Sequence, residues 1–546
     1  MASPAHPPPQ KSAGPQLVPP RRRSRLRYWI LGVALLIVTV VVICIRIVIA
    51  RAEPILRTRV IETLSTRFES PVELAELHVS IANGLHISGK GLKIFGATDP
   101  NPTAPGVQPL LAIREFRFGT PLRDLFREPM RVNTIYVDGL VMNIPPKSDR
   151  AQLRKMRRHG GKMSIAVTQF VCTDTKLVIN TLKPGKLPLT FDISDLHLQD
   201  IGPAKPLQFS ATLLNPKPVG NIQSTGLFGP LNELSPRDSA VVGTYSFTNA
   251  DLGTLKGIGG ILSSTGQYGG TLGRIEVNGQ TDTPDFRIDI SGHPVPLHTD
   301  FHAIVDGTDG DTYLQPVKAR FLHTSFIAKG KVEHLTNAPG HDIQLQVEME
   351  RGLIQDLLTL GVRTDPPVMS GAVAMKTDMY LPPGAGDISD RLQLKGRFHI
   401  NDGHFSNEKL QKKIDDFSLR GMGEPKLINK GPEIIVPTEL QGTYTLKNSM
   451  LAFSFLHFQV PGTHADMTGQ YSLDGNTFDF HGRLRLDAKL SEMTTGWKSI
   501  LLKPVDPFFH KNGAGTQLPF KITGTRSEPH FGLDFGYDGK IPSGKH

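Results

Sequence analysis

Apolar and polar residues alternate along most of this chain, in short runs separated by turn-forming residues. In one such run, residues 483–490, every second side chain is aliphatic and those between are charged. A strand sends successive side chains to opposite faces, whereas a helix with 3.6 residues per turn distributes them around its axis. The pattern therefore predicts β-strands with one apolar face, and a mostly β fold.

Four segments share a longer pattern: a glycine, an aromatic residue two positions on, an aliphatic or aromatic residue two further, and then turn residues. They begin at Gly243, Gly396, Gly442 and Gly469. Dipeptides such as Asp402-Gly403 and Asp474-Gly475 tolerate the positive φ of tight turns, so each segment predicts a hairpin. The repetition favours one elongated antiparallel sheet, although any large antiparallel protein contains such hairpins.

Two segments have apolar residues at helical spacing. Residues 54–68 place Val60, Leu64 and Phe68 on one face, and Pro54 suits the first turn of a helix. Residues 353–362 form a second amphipathic stretch that ends near Gly361. The chain is thus predicted to contain few short helices.

The longest apolar run, residues 29–45, contains no charged residue. About 20 residues at ~1.5 Å each cross a hydrocarbon core of ~30 Å, so we predict a transmembrane helix over 28–50. The predicted anchor residues in this helix are Trp29, Ile30, Leu35, Leu36 and Ile45.

The orientation of this span follows from the charges before it. The arginines that precede the run are Arg21, Arg22, Arg23, Arg25 and Arg27. Positive charge favours the cytoplasmic side, and no small-residue cleavage site follows the run. We predict an uncleaved single-pass anchor with a cytoplasmic N-terminus and the bulk of the chain on the other side.

The domain organisation predicted from these features has five parts. Residues 1–27 form a disordered basic tail, 28–50 the transmembrane helix, 51–365 an N-terminal β region, 366–535 a C-terminal β region and 536–546 a tail. The boundary at 365 rests on the Pro366-Pro367 and Pro382-Pro383 pairs, because paired prolines interrupt strands and helices.

Composition narrows the function classes. The formal net charge is +10, but much of the basic excess lies near the predicted membrane span and in residues 150–162. Basic residues beside a membrane serve as topology signals or contact anionic lipid, and no nucleic-acid-binding module is present. The two cysteines are Cys44, inside the predicted span, and Cys172, so no intrachain disulfide framework is expected.

Signals for catalysis or metal binding are weak. His298 and His302 share a strand face with Asp300, but no metal-binding motif surrounds them, and the aspartates of residues 306–311 lack the spacing of a calcium loop. Asp415 and Asp416 are predicted to face opposite sides of a strand. His399 and His404 are predicted on opposite arms of a hairpin, where two surface histidines could approach each other. We predict no enzyme activity, no catalytic residues, no metal and no cofactor.

The order of several segments resembles the AsmA-like family, most closely after residue 390. The segments that carry the resemblance are residues 72–80, 84–94, 398–405, 414–421, 458–465 and 524–533. AsmA-like proteins are similar to bridge-like lipid transfer proteins. The resemblance implies anchoring in the inner membrane of a diderm bacterium, a periplasmic body, a curled β-sheet with an apolar groove, and a role in phospholipid movement and outer-membrane biogenesis.

Alternating residues of the C-terminal region are predicted to line that groove. They are Phe398, Ile400, Tyr444, Leu446, Leu451, Phe453, Phe478, Phe480, Leu484 and Leu486. The core of an ordinary β-sandwich has the same alternation, so either location fits each residue.

Three functions are consistent with the sequence. The first is an envelope protein that holds or transfers phospholipid, with membrane phospholipids, the inner membrane and other envelope proteins as partners and no nucleic acid. The second is a non-catalytic scaffold or assembly factor for outer-membrane proteins. The third is an anchored hydrolase with an unrecognised site. An open apolar groove favours the first, a closed sandwich the second, and a deep pocket with converging carboxylates or histidines the third.

Overall fold

One hydrogen-bonded sheet of 25 strands runs through the described part of the computed structural model. The structure describes residues 35–43, 57–58, 60–62, 64–65, 71–80, 85–95, 108–121, 130–144, 165–179, 189–202, 205–230, 232, 236–307, 310–333, 340–384, 386–429, 434–473, 477–489, 491–494, 515–525, 528–534 and 536. The mostly β class predicted from the alternating pattern is confirmed.

The first half of the sheet contains strands of up to 15 residues. They are β1 (Val72–Glu73), β2 (Glu76–Ser80), β3 (Leu85–Ile94), β4 (Leu111–Thr120), β5 (Met130–Ile144), β6 (Ile165–Ile179), β7 (Leu189–Ile201), β8 (Leu207–Pro216), β9 (Val219–Phe228), β10 (Ala240–Asp251), β11 (Ile258–Gly259), β12 (Ile261–Thr271) and β13 (Arg274–Ile288).

The second half has twelve further strands. They are β14 (Val295–Val305), β15 (Thr312–Phe321), β16 (Thr324–Glu333), β17 (Asp342–Leu353), β18 (Met369–Leu381), β19 (Gln393–Phe405), β20 (Thr438–Lys447), β21 (Met450–Val460), β22 (Thr463–Ser472), β23 (Thr477–Leu486), β24 (Thr516–Thr525) and β25 (Pro529–Leu533).

Where the structure describes the chain between strands, three α-helices are present: α1 (Ile354–Gly361), α2 (Ile388–Arg391) and α3 (Glu408–Gly421). Helix α1 confirms the second predicted helix. The described residues between 57 and 65 are helical too, as predicted for 54–68. Short 3-10 turns lie at Pro236–Asp238, Leu252–Thr254 and Pro425–Asn429.

Residues 35–43 of the apolar N-terminal run are helical and exposed. Among the described residues, no helix is both long enough and apolar enough to span a bilayer. The rest of the predicted span, the five arginines before it and residues 150–162 lie outside the described residues.

Most strands pair with their nearest neighbours along the chain, and every described pair but one is antiparallel. The exception is β5 with β6, which run parallel over their whole length. The prediction of a purely antiparallel sheet was therefore wrong at this point, and the sheet is mixed. A parallel pair needs a crossover rather than a hairpin, and residues 145–164 make the connection between these two strands.

Some of the predicted turn residues form a hairpin, and others form a β-bulge inside a strand. Asn448 and Ser449 both have positive φ and join β20 to β21 in a two-residue hairpin, as predicted. Asp402 also has positive φ, at +51°, but it lies inside β19, where the pairing with β20 shifts between Ile400 and Gly403. The predicted tight turn there is a β-bulge, because a bulge can use the same left-handed backbone conformation.

Two predictions about charged residues of the C-terminal region were wrong. Asp415 and Asp416 lie in α3, not on a strand, and the buried Asp415 carboxylate accepts hydrogen bonds from Gln411 Nε2 at 2.8 Å and from the backbone N–H of Val436 at 2.9 Å. His399 and His404 lie on the same strand, β19, rather than on opposite arms of a hairpin.

Among the described residues, the larger of two hydrophobic clusters lies where α1 packs against the sheet. Its buried members are Val295, Phe321, Met349, Met369, Val373 and Ile400. Asp356 attaches α1 to the sheet, because its carboxylate accepts hydrogen bonds from Thr324 Oγ1 at 2.8 Å and from the N–H of His323 at 3.0 Å. Strands β17 and β18 pair along their length, so the described sheet continues on both sides of the predicted boundary at residue 365.

Candidate functional site: a continuous apolar sheet face

Strand register traces each face of the sheet, because paired residues on neighbouring strands send their side chains to the same side. Starting from Val79 on β2, the trace passes through Ile87, Phe118 and Ile135 to Phe170 on β6. We call this side of the sheet the apolar face, and the other side the polar face.

The apolar face continues through the rest of the sheet. From Phe170 the trace passes through Leu198 and Phe209 on β7 and β8, and later through Val277 and Ala303 on β13 and β14. Strand by strand it reaches β25, where Phe531 pairs with Ile522 of β24. With neighbouring strands about 4.8 Å apart, this face has a contour length on the order of 100 Å.

All ten predicted groove residues lie on the apolar face. Phe398 and Ile400 of β19 share it with Tyr444 and Leu446 of β20, since Gly396 pairs with Tyr444 and Leu394 with Leu446. Register then places Leu451 and Phe453 of β21, and Phe478, Phe480, Leu484 and Leu486 of β23, on the same side. Strand periodicity alone was sufficient to select them.

Burial divides these ten residues into two groups. Ile400, Leu446 and Leu486 are 3%, 9% and 0% exposed, so they belong to the packed core. The other seven are half-buried. Side chains of this second kind retain apolar surface that another molecule can cover.

A row of aromatic rings crosses the C-terminal part of the apolar face. The ring of Phe398 lies 6.1 Å from that of Tyr444 and 6.3 Å from that of Phe453, and Phe453 lies 5.8 Å from Phe480. Glycines face these rings across the strands: Gly442 pairs with Phe398, and Gly469 with both Phe453 and Phe480. The rings of Phe398 and Phe480 therefore lie over glycines of neighbouring strands, in the way that aromatic side chains compensate for strand glycines.

A cavity of about 430 Å³ lies at the N-terminal end of the same face. Its volume is within the range of about 300–1,000 Å³ typical of small-molecule sites. Every lining residue is apolar: Val60, Leu64, Leu77, Val79, Leu85, Ile87, Leu92, Ile113, Phe116, Phe118, Ile135, Val137 and Phe170. These strand residues were not among the predicted groove residues, although Phe116 and Phe118 alternate with Arg117 in a pattern that predicts an apolar face.

The opposite end of the apolar face is exposed. On β25, Phe531 is 74% exposed and Leu533 is 50% exposed. Among the described strands, β25 pairs with β24 alone, so it forms an edge of the described sheet.

The polar face holds charged and polar side chains, several of them in ion pairs. Lys176 lies 3.3 Å from Asp192, and Lys376 lies 3.5 Å from Glu348. His298, Asp300 and His302 share this face, as predicted, and Nδ1 of His298 lies 2.7 Å from a carboxylate oxygen of Asp282. In the described part of the chain, no three His, Cys, Asp or Glu side chains are placed to hold a metal ion.

Two histidine–carboxylate pairs lie on the polar face near the C-terminal end. Asp466 accepts a hydrogen bond from Nδ1 of His457 at 2.5 Å, which raises the pKa of His457 and lowers the pKa of Asp466. Asp534 lies 2.6 Å from Nδ1 of His481 and raises the pKa of that imidazole. These histidines hold a proton more tightly than an isolated imidazole, which stabilises the folded sheet while they are charged.

Cys172 is fully buried on the apolar face of β6, where its Sγ lies 2.9 Å from Oγ1 of Thr175. Burial raises the pKa of this thiol. A neutral, inaccessible thiol is a poor nucleophile, so Cys172 is a packing residue.

Comparison of the chain with protein-family models, with curated proteins and with solved structures finds no match.

Proposed function

We propose that this protein holds phospholipid along the apolar face of its sheet and transfers it within the cell envelope. In this proposal residues 28–50 anchor the chain in the inner membrane, the sheet lies in the periplasm, and the activity contributes to outer-membrane biogenesis, as for the AsmA-like proteins that the sequence resembles. The continuity of the apolar face from β2 to β25 is the observation that supports the proposal most.

An apolar sheet face must be covered by another layer of protein or by a ligand. Among the described residues, α1 packs on the face over β13, β17 and β18 and covers only part of it. Acyl chains can cover the remainder, since each buried methylene contributes about 0.8 kcal/mol. Similar contacts repeated from strand to strand let a chain move along the face without a single deep trap.

The cavity at the N-terminal end suits the first step of this function. Val60 and Leu64, which line it, follow the predicted span by fewer than 20 positions in sequence. A lipid that leaves the inner membrane would meet this apolar cavity first, and the carried chain would then continue along the strands toward β25.

The proposal is tested by measuring the lipid that purifies with the full-length chain. We expect about one or more phospholipids per protein by mass spectrometry, and a clear loss in Phe118→Asp, which places a charge in the cavity. The matched control is Arg117→Asp, on the same strand but the polar face, where Arg117 stacks on Tyr136. Wild-type protein that never retains lipid, or equal lipid in both variants, would contradict the proposal, provided that both variants melt cooperatively.

A second candidate is the scaffold or assembly factor for outer-membrane proteins, and the edge of β25 favours it. An exposed strand edge beside Phe531 and Leu533 is suited to pairing with a strand of another chain. A photo-crosslinking residue at position 531 separates the two functions in cells. Lipid adducts support the carrier, and a discrete protein adduct without lipid supports the scaffold.

A further inference from the structure

The apolar face changes character at its centre, on β9, β10, β12, β13 and β14. Seven hydroxyl side chains lie there, and we call them the hydroxyl band: Ser224, Tyr245, Ser264, Tyr268, Thr281, Thr283 and Thr299. Register places them on the apolar face, since Ser224 pairs with Tyr245, and Thr281 pairs with both Ser264 and Thr299. Their position on the apolar face could not be predicted from the sequence, because serine and threonine also occupy polar faces.

Four of these hydroxyls donate hydrogen bonds to other groups of the protein. Ser224 donates to the carbonyl of Thr244 at 3.0 Å, so the contact of 2.7 Å between Ser224 and Tyr268 is donated by the tyrosine. Ser264 likewise donates to the carbonyl of Gln280 at 2.9 Å, so Tyr245 donates to Ser264 at 3.0 Å. A hydroxyl has one hydrogen, and these assignments use all four.

The other three hydroxyls of the band, those of Thr281, Thr283 and Thr299, are not all used as donors within the described structure. Thr281 and Thr299 lie 2.6 Å apart, and only one of their two hydrogens can lie between the oxygens. The other hydrogen has no acceptor among the described residues. Thr283, two residues from Thr281 on the same face, is 2% exposed, and its Oγ1 has no partner in the described structure. The hydroxyl of Thr283 is too deeply buried to meet a ligand, so the half-buried Thr281–Thr299 pair is the donor that an acceptor on a ligand can reach.

We propose that the Thr281–Thr299 pair binds a carbonyl oxygen of the ester linkages in the carried lipid. This inference rests on the proposed function, and it names the chemical class that the centre of the face prefers: ester-linked acyl chains. The half-buried pair supplies a donor, while Leu297 and Val277 on the same strands supply apolar contacts for the chains. An ether linkage lacks the carbonyl oxygen and leaves the donor unpaired.

The test uses the full-length protein in detergent and two probes, a diester phosphatidylglycerol and its diether analogue with the same chains and head group. We expect the wild type to bind the diester about twofold to tenfold more tightly, the effect of one neutral hydrogen bond. The double variant Thr281→Val with Thr299→Val keeps the shape of both side chains. It should bind the diester and the diether with equal affinity, the affinity that the wild type has for the diether.

Two further variants separate this role from a structural one. Thr281→Ser with Thr299→Ser restores the hydroxyls and should restore the preference. Thr225 and Thr244 form a matched hydroxyl pair on the polar face, 3.3 Å apart, and their valine variants should leave the preference unchanged.

The outcomes distinguish this inference from the proposed function. If the wild type binds both probes equally, or if the preference persists in the double valine variant, the hydroxyl band has no role in ester recognition, although the protein still carries lipid. If neither probe binds, the proposed function itself fails.

Discussion

Phe453 and Phe480 have ring centres 5.8 Å apart, although a whole strand lies between the strands that carry them. They meet because the residue of β22 that pairs with both is Gly469. A Cβ atom at that position would lie 2.5 Å from Cδ1 of Phe480 and close to the carbonyl of Asp479. The aromatic row therefore depends on a missing side chain.

We expect Gly469→Ala to destabilise the protein by about 1–3 kcal/mol, because the added methyl overpacks the row. Thermal unfolding of the full-length chain measures this. Gly386→Ala is the control, since a Cβ there meets no atom within 4 Å. Equal melting temperatures for the two variants would contradict the packing described for Gly469.

Leu484 and Leu486 lie on the same face of β23 and are predicted to differ in function. Leu486 is fully buried, so Leu486→Ala should cost about 2–5 kcal/mol of folding free energy. Leu484 is half-buried, so Leu484→Asp should leave a folded protein that has lost lipid at this position. Circular dichroism and lipid mass spectrometry separate the two effects. If Leu484→Asp unfolds the protein, Leu484 belongs to the packed core, as Leu486 does, and the expected lipid contact is contradicted.

The His457–Asp466 pair should make stability depend on pH. Its carboxylate raises the pKa of His457, so the charged form stabilises the fold below the usual imidazole pKa of about 6.5, and this stabilisation is lost as pH rises through the raised pKa. Between about pH 6 and pH 9, wild type should lose more stability than His457→Gln. In NMR titrations, Asp466→Asn should lower the pKa of His457. An unchanged pKa would show that the hydrogen bond is not formed in solution.

Cys172 should be inert in the folded protein. With Cys44 replaced by serine, we expect no labelling of the native chain by a thiol-reactive dye and one label per chain in denaturant, because Cys172 is fully buried and burial raises the pKa of its thiol. Rapid labelling of the native protein would contradict the packing of β6 on the apolar face.

Asp356 should contribute more to the folding stability than Asp416, another acidic residue on a helix, does. Asp356→Ala removes the acceptor for Thr324 and His323 and leaves both donors unpaired, so we expect a loss of about 1–3 kcal/mol by denaturant unfolding. Asp416→Ala, on α3, is the control and should change stability by less than about 0.5 kcal/mol. Equal effects would show that Asp356 does not attach α1 to the sheet.

Sequence periodicity predicted the strands and the facing of their side chains well. A strand has a period of two, so Leu484 and Leu486 of β23 could be assigned to one face from their alternation with arginines, and register extended that face to Phe398 and Phe453. Helix α1 was predicted because its apolar residues recur at helical spacing. These features depend on local patterns, which a single sequence contains.

Features that depend on contacts between distant segments, such as the pairing of strands, were not predicted. Asp402 adopts the positive φ that its sequence favours, but whether that makes a hairpin or a bulge is decided by β20 on the other side. Helix α3 was missed because polar residues, Gln411, Asp415 and Ser418, lie buried on it beside Leu419, so its buried face does not show the apolar spacing of a helix. Asn407, whose side chain accepts from the N–H of Leu410, is the capping signal that could have revealed it.

The candidate site was predicted only in part. The ten C-terminal positions follow from alternation, but their division into core and half-buried residues depends on what packs above them, as α1 does near Ile400. The apolar cavity near Leu64 joins residues more than 100 positions apart in sequence, and the hydroxyl band becomes visible only when five strands are placed side by side.

The most direct test of lipid binding by the apolar face is a photo-crosslinking scan along β23 in the full-length protein in its membrane. A photoreactive amino acid at positions 478, 480 and 484 should give phospholipid adducts, whereas positions 479, 483 and 485, on the polar face, should give none. Adducts with this period of two would place acyl chains on the apolar face. Equal adducts at all six positions, or none in correctly folded variants, would contradict the account.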